Sequence, residues 1–210
     1  MASRAEHRQA TLTRLSDAAI ELFETSGPTV TIEAIAERAG VSRRTVFRYV
    51  DSKEELAFIH PVLWFDVFDA ALEAAPASPI ADRLRNASRA IAHHIDADPE
   101  PPRRAFTVVA AHPALARGFM AVYQAWIERI AIEVISANPN GTELEDRFQS
   151  RIIGSAVMGM VDAVTRQWIL SPPDIKFVDL YDQGFKLLAP LLDNEALTAT
   201  CDAKNSLTSS

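Results

Sequence analysis

The chain of 210 residues is 48% hydrophobic and 23% charged, an ordinary globular composition that excludes disorder over most of its length. Its formal net charge of −7 argues against nucleic-acid binding if the charge is evenly spread, since nucleic-acid-binding surfaces are usually basic. The longest apolar run, Ile152 to Val161, is about half of the ~20 residues that a transmembrane helix needs, so no membrane association is predicted.

Apolar residues recur at intervals of three and four, and alternating strand patterns are absent, so an all-α fold is predicted. Gly27-Pro28 ends the first helix. Thr31 is a candidate N-cap for the second, and Ser42 for the third. Ser52 and Glu55 form a capping box that opens the fourth. These four helices are predicted at about 12–26, 32–39, 43–50 and 55–75.

Prolines divide the remainder into further long helices. The PEPP sequence at 99–102 is expected to close the fifth helix, and Pro172-Pro173 to stop the longest one. The later helices are predicted at about 80–98, in a short stretch that precedes His112, in a stretch that ends at about 137, and at about 143–170 and 175–192. Residues from Asn194 onward are small and polar, which predicts a frayed tail. The total is about nine helices and no sheet.

The segment from Thr31 to Lys53 has the spacing of a helix-turn-helix. A small residue at Ala36 lets the second helix cross closely, Gly40 permits the tight turn, and Val46 packs inward. The second helix then presents several arginines outward. An arginine fork can bind O6 and N7 of guanine together, so this helix is a candidate reader of the major groove.

Positive charge is concentrated in this same segment. Residues 1–53 carry a net charge of +1, residues 54–210 carry −8, and Ser42 to Lys53 alone carry +3. The acidity therefore belongs to the second part of the chain, and the overall charge does not exclude a basic reader at the first part.

Residues 8–56 closely resemble the DNA-binding domain of the TetR family of bacterial transcriptional regulators, through AIAERAGVS, the Phe-Arg-Tyr that ends the short helix, and SKEEL. The family pattern often has glycine, tyrosine and phenylalanine where this chain has Arg44, Phe47 and Val50. Phe47 lacks a hydroxyl for a phosphate, but its ring can contact a thymine methyl group. The resemblance assigns base contacts to Arg43, Arg44 and Phe47, and backbone contacts to Thr31, Ser42, Thr45, Arg48, Tyr49 and Lys53.

The resemblance also implies two domains with different functions. A helix-turn-helix DNA-binding domain at residues 1–53 would precede a larger helical effector-binding and dimerisation domain at 54–193, with a flexible polar tail at 194–210. The implied function is a repressor that binds a palindromic operator as a homodimer. The helix containing IIGSAVMGMVDAV is apolar or small on nearly every side, which suits cover by a partner subunit as well as by its own domain. The predicted interface residues are Gly154, Val161, Phe177, Tyr181 and Leu188.

A small hydrophobic or aromatic effector is predicted, because large apolar side chains and a few polar ones recur on the helices of the second part. The candidate pocket residues are Trp64, Phe68, Ile91, His94, Phe106, Tyr123, Trp126 and Met158. Each is also a reasonable core residue. No cofactor is predicted.

Other readings stay open beside this one. Arg43, Arg44 and Arg48 could form an ordinary solvated face, with Phe47 and Tyr49 in the core. A helical small-molecule binder or enzyme that no longer binds DNA is a second class, and a corepressor-dependent protein or activator is a third. His93 and His94 point apart on a helix, so one exposed and one buried histidine is expected rather than a metal site.

Nothing in the sequence requires an enzyme, since phosphate-binding, dinucleotide and nucleophile motifs are absent. The single cysteine, Cys201, and the lack of a signal peptide predict a cytoplasmic protein.

Overall fold

The computed structural model describes residues 4–75, 78–137 and 143–192, and the regular structure within these ranges is entirely helical. The predicted tail at 194–210 lies outside the described residues. The nine α-helices are α1 Arg4–Ser26, α2 Ile32–Arg38, α3 Arg43–Val46, α4 Ile59–Glu73, α5 Ile80–Ala97, α6 Glu100–Ala111, α7 Pro113–Ala137, α8 Glu143–Leu170 and α9 Phe177–Leu192. The all-α prediction is confirmed.

The observed helices differ from the predicted ones in several places, and α1 begins at Arg4 instead of about residue 12. Helix α3 has four residues and continues only as turns, and a 3-10 helix at Glu54–Phe58 precedes α4. The PEPP sequence opens α6 instead of closing α5, with Pro99 as the N-cap residue. Proline favours the first turn of a helix because its fixed φ suits the turn and its missing N–H would have no partner there.

The described residues divide into two compact units. One contains the chain up to Asp66 together with Ala97–Gln124, and the other contains Val67–Asp96 and the chain from Ala125 onward. The first unit therefore includes α1 to α3 and also α6. The domain boundary at residue 53 concerns which part binds DNA, and it stays a prediction.

The core of the first unit is built around α1. Leu15 and Phe23 of α1 are completely buried, and so are Ile35 of α2 and Val46 of α3. Leu115 of α7 joins the same cluster. The short helices α2 and α3 are therefore held in place by burial of apolar side chains against a long helix, since helices of this length are not stable alone.

In the second unit, α8 packs against α9, and three contacts fix the segment between them and the start of α9. Trp168 of α8 is completely buried, and its indole Nε1 donates a hydrogen bond of 3.1 Å to the Ile175 carbonyl. Its ring meets the edge of Phe177 at a centroid distance of 5.2 Å. At the start of α9, the Asp96 carboxylate accepts hydrogen bonds from the N–H groups of Phe177 and Val178, at 2.7 and 3.0 Å. These acceptors satisfy amides that a helix N-terminus leaves unpaired.

Candidate nucleic-acid interface

The turn between α2 and α3 depends on the backbone conformation of Gly40. Its φ is +67°, in the left-handed region, while a Cβ at this position would meet nothing within 4 Å. Glycine is therefore needed for conformation and not for space. The Gly40 and Val41 amides donate to the Glu37 and Ala36 carbonyls, at 3.1 and 2.9 Å, which closes the end of α2. The predicted helix-turn-helix geometry is present.

Two hydroxyls start the helices of the motif. Thr31 Oγ1 accepts a hydrogen bond from the Ala34 amide at 3.2 Å, and Ser42 Oγ accepts one from the Thr45 amide at 3.1 Å. Ser42 Oγ and Thr45 Oγ1 also share a hydrogen bond of 2.8 Å, so one hydroxyl hydrogen of this pair stays free to donate. The N-cap predictions for Thr31 and Ser42 are confirmed, and Thr31 and one member of the Ser42–Thr45 pair keep a hydroxyl hydrogen that can be donated to a phosphate.

The segment from Ser42 to Arg48 presents a polar and aromatic surface to solvent. Arg43, Arg44 and Arg48 are exposed, and Phe47 is 46% exposed, so the interpretation of Phe47 as a core residue is wrong. Val46 and Val50 point inward and are buried. A shallow concavity on this surface is lined by Ser42, Arg44, Thr45, Phe47 and Arg48. Five of the nine predicted DNA contacts thus line one surface feature.

The arginines of this surface differ in their partners. Arg43 forms an ion pair with Glu33 at 2.9 Å, and its guanidinium carbon lies 5.3 Å from the centroid of the Phe47 ring. For Arg44, the part of the chain that the structure describes offers neither an ion pair nor a side-chain hydrogen bond. Arg44 can therefore bind a base without first leaving a carboxylate. Arg43 must exchange an exposed ion pair, which is worth little in water.

Lys53 has partners inside the chain that the sequence does not indicate. Its Nζ donates to the carbonyls of Pro28 and Val30, at 2.6 and 2.7 Å, and lies 3.8 Å from a Glu54 carboxylate oxygen. Two of its three donors are thus used inside the chain, where they join the residues after α3 to the segment before α2. The phosphate contact assigned to Lys53 stays a prediction, and it would have to use the remaining donor of a partly buried ammonium group.

Replacing Lys53 with methionine is expected to lower the free energy of unfolding by about 1–3 kcal/mol, since two charge-assisted hydrogen bonds are lost and two carbonyls lose their partner. Urea unfolding measures this change. Arg14→Met, which removes an exposed positive charge from α1, serves as the control and should have little effect. Unchanged stability of Lys53→Met together with weaker DNA binding would favour a phosphate contact over a structural role for Lys53.

The predicted pocket residues fall into both units. In the first unit, the Trp64 ring lies 5.8 Å from Phe106, and Tyr123 lies 6.3 Å from Phe119. In the second unit, Phe68 meets Trp126 edge-on at 5.4 Å. Met158 of the same unit is buried, Ile91 is half-buried, and His94 is exposed. The effector pocket stays a prediction.

Four of the five predicted interface residues are buried within the chain. Phe177, Tyr181 and Leu188 are at most 7% exposed, and burial raises the pKa of the Tyr181 hydroxyl above its ordinary value. A Cβ on Gly154 would lie 2.7 Å from the Ile127 carbonyl oxygen, so this glycine permits α8 to approach α7. Only Val161 is partly exposed. These buried side chains cannot present surface to a partner.

The exposed apolar residues of α8 and α9 are different ones. They are Phe148 at 68%, Ile152 at 51%, Leu170 at 81% and Leu187 at 82% exposure. Apolar content alone could not identify them in α8, because that helix is apolar on nearly every side and its sequence does not say which side is inward.

Sites of other kinds are also accounted for. Within the described residues, no group of three or more His, Cys, Asp or Glu side chains could hold a metal ion. His93 and His94 are both exposed, because Ala92 and Ile95 occupy the inward positions of α5, so the expectation of one buried histidine is wrong.

No single described helix has the length and apolar content to cross a membrane; α6 and α7 meet both criteria only as a pair, bent by 117°.

Comparison with known proteins agrees with a DNA-binding role for this surface. Residues 15–58 match the family described as bacterial regulatory proteins, tetR family, and residues 78–193 match the MftR C-terminal domain. The chain is 30% identical over 196 residues to the putative mycofactocin biosynthesis transcriptional regulator MftR of Mycobacterium tuberculosis, covering 89% of this chain and 93% of that protein. It is 33% identical over 165 residues to the regulator TcmR of Streptomyces glaucescens, covering 72% and 70%.

Solved structures share the fold. The FadR repressor of Thermus thermophilus, in complex with lauroyl-CoA, has a TM-score of 0.57 at 21% identity, covering 85% of this chain and 93% of that one. NalD, the secondary repressor of the MexAB-OprM efflux pump of Pseudomonas aeruginosa, has a TM-score of 0.56 at 19% identity, covering 87% and 96%. The exposed surface of Ser42–Arg48 (the reader surface) and the two family matches lead to one conclusion. The chain belongs to the TetR family and is a DNA-binding transcriptional regulator.

Proposed function

We propose that this regulator is a ligand-responsive repressor that binds a palindromic operator as a homodimer. The observation that carries the proposal is the exposed surface of Ser42–Arg48, on which Arg44 has no carboxylate partner among the described residues and Phe47 stands in solvent. An unpaired guanidinium fork beside an exposed aromatic ring suits guanine and thymine edges in a major groove. Palindromic recognition follows if two copies present this surface about a two-fold axis.

The dimer is supported by one face of α8 together with α9. Phe148, Ile152 and Leu170 are exposed along α8 at a spacing that returns to one side of the helix, and Leu187 is exposed on the neighbouring α9. On the same side of α8, Gly159 has open space where a Cβ would be, so nothing within its own chain requires a glycine there. A glycine inside a helix is destabilising relative to alanine, and close approach of a partner helix is a reason to keep one.

Replacing Ile152 with aspartate is expected to convert the dimer into a monomer, since a dimer would bury two unpaired carboxylates near its axis. Sedimentation equilibrium measures the mass. Val62→Asp is the matched control, because Val62 of α4 is 46% exposed and lies outside the proposed face. A dimeric mass for Ile152→Asp would contradict the assignment of this face.

The effector is proposed to be a small apolar or aromatic molecule. Support comes from the aromatic pairs Trp64–Phe106 and Phe68–Trp126, which belong to separate units of the chain. The relative from Thermus thermophilus was crystallised with lauroyl-CoA, a molecule with a long apolar chain. An effector of this kind would favour a dimer whose two reader surfaces no longer match both half-sites.

The linkage between ligand and operator tests the repressor mechanism. Binding of operator DNA must weaken the binding of effector by the same factor by which effector weakens the binding of DNA. The experiment titrates a screened ligand against free protein and against operator-bound protein. Lower ligand affinity in the presence of operator supports the proposal. Equal affinities would exclude ligand control, and higher affinity would make the ligand a corepressor.

A further inference from the structure

The ring of Tyr49 is contacted by two arginines that come from different parts of the chain. The guanidinium carbon of Arg48 is 4.9 Å from the ring centroid, and that of Arg8, near the start of α1, is 5.8 Å away. Arg48 Nη2 also donates a hydrogen bond of 3.2 Å to the Tyr49 hydroxyl oxygen. The first turns of α1 are thus brought beside the end of the reader segment.

This pairing differs from the way in which neighbouring arginines are held. Arg38 forms a two-pronged ion pair with Glu21, at 2.7 and 3.0 Å, and Arg104 forms one with Glu24. Arg8 and Arg48 are instead exposed and rest on a neutral ring. Stacking on an aromatic face orients a guanidinium without neutralising it. Because both guanidinium groups keep their positive charge beside the same ring, they attract an anion to its neighbourhood.

We propose that Arg8, Arg48 and Tyr49 form one phosphate-binding site for the DNA backbone, in which Arg8 is a DNA contact that the helix-turn-helix motif does not contain. The inference rests on the proposed binding of operator DNA. Guanidinium and phenol groups are common donors to phosphate oxygens. The Tyr49 hydroxyl oxygen accepts from Arg48, and the hydroxyl also has Thr11 as a side-chain partner, so Tyr49 would donate to a phosphate by exchanging the Thr11 contact.

The chemistry of the site favours a phosphate over a base edge. Tyr49 and Arg8 are not among the residues that line the concavity around Arg44 and Phe47, so they lie beside the reader surface. The hydrogen bond from Arg48 is the main cause that lowers the pKa of Tyr49 below its ordinary value of 10.0. Partial burial opposes this shift, while a hydrogen bond with Thr11 and then the positive charges of Arg48 and Arg8 add to it. A more acidic phenol is a stronger hydrogen-bond donor to an anion.

The test is the salt dependence of binding to duplex DNA, measured with the full chain by fluorescence anisotropy. Each phosphate contact contributes about 0.9 to the slope of log K against log salt concentration. Arg8→Ala is expected to lower the slope by up to about 0.9 per subunit, because Arg48 still contacts the shared phosphate, with the same fold-loss of affinity on specific and random duplexes. Arg8→Lys should retain the slope, because a lysine still binds phosphate as a point charge.

Arg14→Ala is the matched control, since it removes an exposed positive charge from another side of α1. Equal slopes for Arg8→Ala and Arg14→Ala would overturn the inference, and so would a loss confined to the specific duplex. Failure of the unmodified chain to bind any duplex would instead overturn the proposed function, so the two failures are distinct.

Tyr49→Leu provides a second measurement. If the three residues bind one phosphate, Arg8→Ala should weaken DNA binding less in the Tyr49→Leu background than in the unmodified chain, because interacting residues are not additive. Additive losses would show that Arg8 acts independently of Tyr49 and would contradict a single site. Unfolding curves of each variant report on folding separately.

Discussion

Replacing Trp168 with alanine is expected to lower the free energy of unfolding by about 3–5 kcal/mol, the largest effect of any single change considered. Trp168 is completely buried, and its removal would leave a cavity between α8 and α9. The Ile175 carbonyl would lose its indole donor, and Phe177 would lose its edge-on aromatic partner. Urea unfolding of the purified chain measures the change.

Two comparisons separate packing from hydrogen bonding at this site. Trp168→Phe keeps an aromatic ring but removes the Nε1 donor, so it should cost less than Trp168→Ala. Gln167→Ala alters an exposed residue of the same helix outside the proposed dimer face and should leave the unfolding nearly unchanged. A loss below about 1 kcal/mol for Trp168→Ala would contradict the packing described here, because fully buried tryptophans rarely tolerate truncation.

Replacing Arg44 with alanine is expected to cost about 1–3 kcal/mol of operator binding per half-site and to relax the preference at one base pair. The physical reason is the loss of a bidentate donor that has no competing partner among the described residues. Arg44→Lys should restore the charge but not the base preference, since an ammonium group cannot bind O6 and N7 in a fixed fork. Competition binding with single-base variants of the operator measures both quantities.

Arg43→Ala provides the comparison for the effect of Arg44→Ala on base preference. Arg43 is paired with Glu33 and stacked on Phe47, so we expect it to contribute less to base preference than Arg44 does. If Arg44→Ala bound all single-base variants in the same order as the unmodified chain, the assignment of Arg44 as a base reader would be wrong.

Much of the fold was predictable from local patterns. Glycines and prolines mark the ends of most helices, and the spacing of Ala36, Gly40 and Val46 identifies the helix-turn-helix. These signals are local, because a cap or a turn depends on a few neighbouring residues. The Ser42 cap and the positive φ of Gly40 are therefore where the sequence predicts them.

Contacts between distant residues were not predictable in the same way. Lys53 looks like a phosphate ligand in sequence, but its ammonium group meets carbonyls 23 and 25 residues away. Arg8 carries no motif, and it reaches Tyr49 only because α1 packs beside the reader segment. Which side of α8 is exposed also depends on packing, since Gly154 is required by the approach of α7. Such roles arise from tertiary structure.

The central claim is that the Ser42–Arg48 surface of two subunits reads a palindromic DNA sequence. Selection of random duplexes by the purified chain, followed by sequencing of the bound pool, tests it most directly. The expected result is enrichment of two inverted half-sites whose centres lie one helical turn, ~10 base pairs, or a multiple of it apart. Arg44→Ala is expected to lose preference at one position in each half-site. A pool with no enriched sequence, or with the same enriched sequence for Arg44→Ala, would contradict it.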